Sequence, residues 1–412
     1  MHYALAMISP ITTRWARVSL FLCLTISLVL HNSSLFAEEQ TAEFSDKRPI
    51  RIGASLSLTG IYKEPSNMIK RGYELWVQET NRKGGLLGRP LELQILDDRS
   101  SVEEARGIYH DLIEEQQVDL LLAPYGTPIT LAVSEITEAA GYVLVSAGAA
   151  GTQIWRREFK YIFGVYSTAD RLFIGFLDLI ARNRIDEISI VHENNPFNIE
   201  AAMGAVEWAK KLGIGIKQRI EFSPETYTPE EILRQAGLSD NAALIFCSYP
   251  EEGYAFLQAL QEHLQQPAAV CMTIAPVHPL FAKRLQGAAE GVFGPSQWEP
   301  EERIPYPGTR EFISAFRRFA HVPPSYHAGA AFAAGQVLAR SIEATASLDN
   351  AVLRDAIATM DTVTIIGRFK VDNFGRQIGH NPILIQWQGG KKEIVYPSQL
   401  KTAEPQFNNR SR

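Results

Sequence analysis

The chain has 412 residues, a formal net charge of −6 and 46% hydrophobic residues, which is enough for two domains with buried cores. No block of basic residues occurs, and this argues against nucleic acid as a partner. No second long apolar stretch follows residue 37, so we expect the mature protein to be soluble.

The N-terminus has the pattern of a secretory signal peptide. Arg14 and Arg17 precede an apolar run over residues 18–30, and small residues precede a cleavage point after Ala37. The run is too short to favour a membrane span, although an uncleaved anchor stays open as an alternative. We therefore predict that residues 1–37 are a signal peptide. Their removal changes the net charge from −6 to −8, because two arginines and no acids are lost.

Two cysteines remain in the mature chain, Cys247 and Cys271. Their low number fits an exported protein without a disulfide framework. Both lie near the ends of predicted neighbouring strands. We expect two buried thiols, and a bridge between them is the alternative.

Strands and helices alternate along the mature chain. In its first part we predict strands at residues 50–58, 91–96, 120–123 and 143–146, and helices at 67–81, 101–116 and 129–140. The second part repeats the pattern, with strands at 187–192, 216–222, 242–247 and 270–273, and helices at 196–212, 230–236 and 251–264. Helices at 308–319, 327–346 and 350–360 and a hairpin at 382–395 follow. This alternation is typical of an α/β protein with doubly wound parallel sheets.

The stretch 120–130 places the start of a helix directly after a buried strand. Thr127 fits the N-cap and Pro128 the first helical position. Ligands of open parallel sheets bind beyond the carboxyl ends of the strands, where free N–H groups attract an anion. Thr127 therefore either contacts a ligand or only caps its helix through the N–H of Thr130, and both interpretations are open at this point.

Several motifs together resemble one known family. A glycine-rich turn at residues 84–90 (Gly-Gly-Leu-Leu-Gly-Arg-Pro) is followed by a strand and by Asp97 and Asp98, and residues 141–148 and 287–294 continue the likeness. In this combination the chain resembles the Leu/Ile/Val type of periplasmic substrate-binding protein, which delivers solutes to ABC importers. The resemblance implies a periplasmic location, permease subunits as partners, a small-molecule solute and no cofactor. It places the two aspartates in a structural turn.

The resemblance also implies two doubly wound lobes joined by three hinge segments, with the ligand in the cleft between the lobes. Candidate hinges are residues 162–166, 292–296 and 365–369, each with a glycine. The first lobe would comprise residues 48–164 and 296–366, and the second lobe residues 165–295 and 367–398. Residues 399–412 are predicted to be a flexible tail.

By the same resemblance, the ligand-binding residues follow the strand ends of both lobes. In the first lobe they are Tyr125, Gly126, Thr127, Gly148, Ala149 and Ala150. Ala150 stands where the family commonly has threonine, and Thr152 is a possible substitute. In the second lobe they are Phe197, as an aromatic that closes over the ligand, Tyr249 and Ile274, and Trp298 follows a hinge candidate. Tyr62 and Trp155 are further candidates for cleft aromatics.

The loop over residues 274–278 departs from the family pattern. It is the position where the resemblance implies an acid that pairs with an α-ammonium group, and this chain has no carboxylate there. A buried ammonium group without a partner is costly. We infer a carboxylate or amide ligand without an α-amino group, with Glu193 or Glu251 as alternative partners for an amine.

Two other functions were weighed against solute delivery. The first is a sensor of the same fold that acts on a membrane signalling partner. The second is an exported hydrolase, but the chain has no zinc motif, no nucleophile elbow and no phosphate-binding loop. We therefore expect a binding protein without catalytic residues, metal or cofactor.

Overall fold

The computed structural model describes residues 48–278 and 280–408, so the predicted signal peptide lies outside the described residues. A first sheet contains β1 (Ile50–Leu56), β2 (Leu91–Asp97), β3 (Leu120–Leu122), β4 (Leu144–Ser146) and β5 (Ile162–Gly164). Its order is β2-β1-β3-β4-β5, and all of its pairs are parallel. The connecting helices are α1 (Lys63–Arg82), α2 (Val102–His110) and α3 (Thr127–Ala140).

A second set of alternating elements follows β5. It contains α4 (Ile174–Arg182), β6 (Glu187–Glu193), α5 (Pro196–Leu212), β7 (Gly215–Phe222), α6 (Pro229–Gln235), β8 (Ala242–Cys247), α7 (Pro250–Glu262), β9 (Ala269–Met272), α8 (Phe281–Leu285) and β10 (Phe293–Ser296). The chain then returns through α9 (Thr309–Ala320), α10 (Tyr326–Thr345) and α11 (Asn350–Ala358) to the hairpin β11 (Asp361–Thr364) and β12 (Gly367–Lys370). Strands β13 (Ile383–Gln388) and β14 (Lys391–Tyr396) close the fold.

The second sheet has the order β14-β13-β10-β9-β8-β6-β7. Its five strands from β10 to β7 pair in parallel, whereas β13 and β14 are antiparallel. The expected α/β architecture of two doubly wound lobes is therefore observed, with one correction, because the second sheet is mixed at one edge.

Helix α10 packs on α1 so closely that glycine is needed on both sides. A Cβ atom on Gly72 of α1 would lie 2.4 Å from the carbonyl oxygen of Ala328, and one on Gly335 of α10 would lie 2.2 Å from the ring of Trp76. This contact fixes α10 against the first lobe. It also fixes the N-terminus of α10 near the carboxyl ends of the first sheet.

Three segments connect the lobes, and they are bonded to one another. The side chain of Gln297, just after β10, accepts from the N–H of Ser167 and donates to the carbonyl of Ser167, both at 3.0 Å. Gln377 Nε2 donates to the carbonyl of Val165 at 3.2 Å. The first two segments predicted as hinges, residues 162–166 and 292–296, contain β5 and β10, and their role as hinges stays a prediction.

The third predicted crossing, residues 365–369, is wrong. These residues form the turn and second strand of the β11–β12 hairpin, with Thr364 opposite Gly367. The chain joins the second sheet only at β13, after this hairpin. The glycine in this segment was taken for a hinge, but Gly367 closes a hairpin with a φ of 132°.

The prediction of a flexible tail over residues 399–412 is also wrong for residues 399–408, the part that the structure describes. The N–H of Gln406 donates to the side chain of Gln386 at 2.8 Å, and the N–H of Asn408 donates to the carbonyl of Ala268 at 2.9 Å. The ring of Phe407 packs against Phe293. Residues 399–408 therefore cover the second sheet, since an aromatic side chain and backbone hydrogen bonds hold them there.

Cys247 and Cys271 are free, buried thiols on the paired strands β8 and β9, as expected. Burial raises the pKa of both thiols. No helix within residues 48–278 and 280–408 is long and apolar enough to cross a membrane.

Candidate functional site

The loop between β3 and α3 brings backbone N–H groups to the cleft. Gly126 is the N-cap, with a φ of 87° that favours glycine, and Thr127 is the first residue of α3. The N-cap of α3 is therefore Gly126 and not Thr127, as was predicted. The N–H of Thr130 donates to the carbonyl of Gly126, and Thr127 Oγ1 instead accepts from the N–H of Gly151 at 3.1 Å.

This bonding pattern leaves donors free at the start of α3. Pro128 has no N–H, α3 has no side-chain cap, and helix geometry offers the N–H groups of Thr127 and Ile129 no partner within the helix. The hydroxyl of Thr127 uses its oxygen to accept from Gly151, so its proton stays available for donation.

A cavity lies between the lobes at this point. It is lined from the first lobe and the crossings by Tyr125, Gly126, Thr127, Gly148, Ala150, Tyr166, Gln297, Tyr326 and His327, and from the second lobe by Leu172, Phe197, Tyr249, Ile274 and Pro295. Of the ten predicted ligand-binding residues, all but Ala149 and Trp298 line this cavity.

The two exceptions have physical reasons. Ala149 is 1% exposed and lies between two lining residues without lining the cavity itself. Trp298 is buried in the first lobe, where its ring packs edge-on against Phe312 at 5.8 Å, and the neighbouring Gln297 faces the cavity instead. Thr152, the suggested substitute for Ala150, is likewise buried outside the lining.

Aromatic rings from both lobes nearly meet across the cavity. The ring centroids of Tyr62 and Tyr249 are 4.9 Å apart, and those of Tyr62 and Tyr125 are 5.7 Å apart. The space left at the centre is about 30 Å³, which is room for about two water molecules. Tyr62 of the first lobe and Tyr249 of the second lobe are therefore in contact across the cavity. Trp155, the other candidate for a cleft aromatic, packs on Gly164 and does not line the cavity.

Among the described residues, four α-helices begin at the cavity: α3, α5, α7 and α10. They differ in whether a side chain offsets the positive end of the helix dipole and the free N–H groups there. Asn195 caps α5 by accepting from the N–H of Asn198 at 3.0 Å, and α7 carries Glu251 and Glu252 in its first turn. Helices α3 and α10 have neither a side-chain cap nor an acid in the first turn. An anionic group of a ligand is therefore favoured at α3 or α10 over α5 or α7.

None of the residues that line the cavity carries a charge at neutral pH. Glu193 is buried behind Tyr249, and its carboxylate accepts from the N–H of Tyr249 and from Asn198, both at 3.2 Å. Glu251 is exposed and pairs with Arg284 at 2.9 Å. Neither alternative partner for an ammonium group lines the cavity.

Burial keeps the titratable side chains of the cavity neutral. It lowers the pKa of His327 to about 3, and it raises the pKa values of Tyr125, Tyr166 and Tyr249 well above the usual value. Two polar atoms here, Tyr166 Oη and His327 Nε2, are buried without a protein partner in the described structure.

The depressed pKa of His327 predicts a loss of stability in acid. In the unfolded chain the imidazole of His327 takes up a proton below about pH 6.5, whereas in the native protein it does so only near pH 3. The native state is therefore destabilised as the pH falls through this window, by at most about 1.4 kcal/mol per pH unit. Urea unfolding of His327→Gln between pH 7.5 and 4.5 should give a shallower decline of the free energy of unfolding than the unmodified protein. Equal slopes would contradict the buried neutral imidazole.

Polar contacts behind the cavity hold the strand ends in place. Asp98 accepts from the hydroxyls of Ser55 and Ser57 at 2.8 and 2.5 Å, and Asp97 accepts from Thr59. This confirms the structural role predicted for the two aspartates. Tyr73 of α1 donates to the carbonyl of Ala123 at 3.1 Å, at the end of β3.

Six lining residues were not predicted: Leu172, Tyr166, Pro295, Gln297, Tyr326 and His327. Tyr166 and Pro295 lie within the segments predicted as hinges, and Gln297 directly follows the second of these segments. Tyr326 and His327 reach the cavity only because α10 packs on α1, which no local pattern indicates. Among the described residues, no group of three or more potential ligand side chains could hold a metal ion.

Comparison with known proteins finds a consistent set of relatives. The sequence profile of a family described as periplasmic binding protein matches residues 49–392. The chain is 22% identical to Leu/Ile/Val-binding protein homolog 8 of Brucella suis, over 93% of this chain and 97% of that protein.

Solved structures share the fold. The branched-chain amino acid transporter substrate-binding protein LivJ of Streptococcus pneumoniae, in complex with isoleucine, superposes with a TM-score of 0.74 at 17% identity, covering 85% of this chain and all of LivJ. A solute-binding protein of an ABC transporter from R. palustris, in complex with benzoate, gives a TM-score of 0.72 at 18% identity, covering 84% and 96% of the two chains.

Proposed function

Because this chain belongs to the periplasmic binding protein family, we propose that it captures a small organic solute between its lobes and delivers it, chemically unaltered, to an ABC importer. The observation that carries this proposal is the interlobe cavity, which combines free backbone donors, aromatic walls and contributions from both lobes. Residues of both lobes contact one bound solute, so binding favours the closed state.

The chemistry of the cavity points to a solute with one anionic or amide group and no α-amino group. The N–H groups of Thr127 and Ile129 and the hydroxyl of Thr127 suit a carboxylate or an amide oxygen. No lining side chain offers a negative charge to an ammonium group. The aromatic side chains of Tyr125, Phe197 and Tyr249 supply flat apolar walls, and the benzoate bound by the R. palustris protein is an acid of this class.

We infer that the lobes move about the bonded crossings as units. The proposed boundaries are residues 48–164 and 299–376 for the first lobe and residues 169–296 and 383–408 for the second, with the crossings between them. The proposed location is the periplasm, reached through the signal peptide over residues 1–37. The proposed partners are the permease subunits of an importer, which would receive the closed form.

A thermal-shift panel tests solute capture. The panel contains amino acids, amides, aromatic acids and short carboxylates, each offered separately to the purified protein. A true ligand at a hundredfold excess over its dissociation constant stabilises the native state by about 2.7 kcal/mol. We expect carboxylates or amides to raise the melting temperature, and recovery of the ligand intact after long incubation. Turnover of the ligand would contradict the proposed function.

Closure also brings charges of the two lobes together. Glu64 of α1 lies 3.6 Å from Arg284 and 3.7 Å from His278 in the second lobe, and Arg156 lies 3.3 Å from Glu200. Burial lowers the pKa of His278 to about 4, so Arg284 is the charged partner of Glu64 at neutral pH. These contacts exist only while the lobes are closed.

The substitution Glu64→Gln is therefore expected to weaken ligand affinity by about 0.2–1 kcal/mol, the usual range for a partly exposed ion pair. Calorimetry at low and high salt provides the measurement, and the effect should shrink with added salt. Glu79→Gln is the matched control, because Glu79 pairs with Arg82 on the same helix at 2.7 Å. An equal loss of affinity in both variants would contradict the role of Glu64 in closure.

A further inference from the structure

Two helices of the first lobe reach the cavity from opposite faces of the first sheet. Right-handed crossovers place α1 on one face and α2 and α3 on the other, because the chain moves from β1 to β2 in one direction and from β2 past β1 to β3 in the other. Helix α10 packs on α1, and α3 packs on α2. Thr127 and Tyr326 therefore begin helices that approach the cavity from different sides.

The end formed by α10 and the first crossing contains unpartnered polar atoms. Tyr166 and His327 both line the cavity and are 3% and 5% exposed. Tyr166 Oη and His327 Nε2 have no hydrogen-bond partner in the described protein, and their rings lie 6.5 Å apart. Leaving a buried polar group without a partner costs free energy, so a ligand group that bonds to it gains affinity.

The chemistry of this end selects a neutral group. It is formed by the phenols of Tyr166 and Tyr326 and the imidazole of His327, and no lysine or arginine lines the cavity. With one carboxylate held at α3, a second carboxylate in the same cavity would repel it and find no cation, whereas a hydroxyl or carbonyl group carries no like charge and is easier to desolvate.

We propose that Tyr166 and His327 form a second polar subsite, which selects carboxylate solutes that carry a hydroxyl or carbonyl group at the end away from Thr127. This inference rests on the proposed function and deepens it. It predicts that the solute is bound by hydrogen bonds at both ends, with the aromatic side chains packing on the part between them.

Calorimetry with matched probes tests the subsite. The probes are benzoate against 4-hydroxybenzoate, and hexanoate against 6-hydroxyhexanoate and hexanedioate. We expect the hydroxylated member of at least one pair to bind about tenfold or more tightly than its parent, because the analogue without the hydroxyl leaves buried groups unpaired. In Tyr166→Phe this ratio should fall towards one. Tyr142→Phe should keep it, since Tyr142 donates to the carbonyl of Val118 outside the cavity.

Thermal unfolding of ligand-free Tyr166→Phe separates binding from structure. Removing an unpartnered buried hydroxyl should leave the melting temperature unchanged or raise it, whereas a structural role would lower it. Three results would overturn the subsite alone. The first is that the parent acids bind as tightly as the hydroxylated probes, and the second is that hexanedioate binds as tightly as 6-hydroxyhexanoate. The third is a lowered melting temperature of Tyr166→Phe. If no carboxylate probe binds, the subsite is overturned together with the anionic site at Thr127.

Discussion

Replacing Thr127 with alanine is expected to weaken the binding of a carboxylate solute by about 1.5–3 kcal/mol, or roughly 10- to 150-fold in the dissociation constant. The hydroxyl of Thr127 accepts from the N–H of Gly151, so its proton is directed to a second partner. The alanine variant removes this donor from a cavity that has no charged side chain to replace it.

Thr127→Ser is the matched control for this prediction. Serine keeps the hydroxyl, both as acceptor for Gly151 and as donor to the solute, and should therefore retain most of the affinity. Calorimetry on the ligand identified in the panel gives the affinities, and urea unfolding of the ligand-free variants shows whether the loss of the bond to Gly151 affects the fold. Unchanged affinity in Thr127→Ala would remove Thr127 from the site.

The second large effect is expected at a buried ion pair next to the second crossing. Lys392 of β14 pairs with Glu299, and their side chains are only 15% and 6% exposed. Glu299 also accepts from the hydroxyl of Ser296 at 2.9 Å, and Lys392 donates to the carbonyl of Val277 at 3.2 Å. Lys392→Met leaves a buried carboxylate without its cation, so we expect a loss of about 3–5 kcal/mol in the free energy of unfolding.

The double variant Glu299→Gln with Lys392→Met separates the pair from its surroundings. Because replacing both members of a buried pair is often close to neutral, most of the lost stability should return in the double variant. Chemical denaturation measures all three proteins. A loss below about 0.5 kcal/mol in Lys392→Met would show that Glu299 does not need this cation, and a double variant as unstable as the single one would assign the effect to the lost packing of Lys392.

Local patterns predicted most of the fold because each element carries its own signal. The bounds of β8 and α5 are as predicted, and the predicted start of α2 at residue 101 is the N-cap Ser101, which accepts from the N–H of Glu104. Helix α4 was not predicted, although Phe173, Phe176, Leu177 and Ile180 recur at helical spacing and are buried. The tail was mistaken for a flexible segment because its hydrogen bonds and the contact of Phe407 depend on a distant strand.

The first-lobe half of the site was more accessible to sequence analysis than the rest. Gly126, Thr127 and Gly148 follow strands, and the carboxyl ends of parallel strands meet at one edge of a sheet. Tyr326 and His327 join them only through the close packing of α10 on α1, which is visible in the positions of Gly72 and Gly335 and not in any motif. The absence of an acid at residues 274–278 was read from the sequence. The uncharged lining of the whole cavity required the structure.

The central claim is that the cavity holds a carboxylate and excludes an α-ammonium group, and matched calorimetry tests it most directly. 4-Methylpentanoate is leucine without the amino group, and 3-phenylpropanoate is phenylalanine without it. We predict that at least one of these acids binds and that its amino-acid counterpart binds at least about a hundredfold more weakly, because an unpaired buried ammonium group costs several kcal/mol. Tighter binding of leucine or phenylalanine than of the corresponding acid would contradict the account.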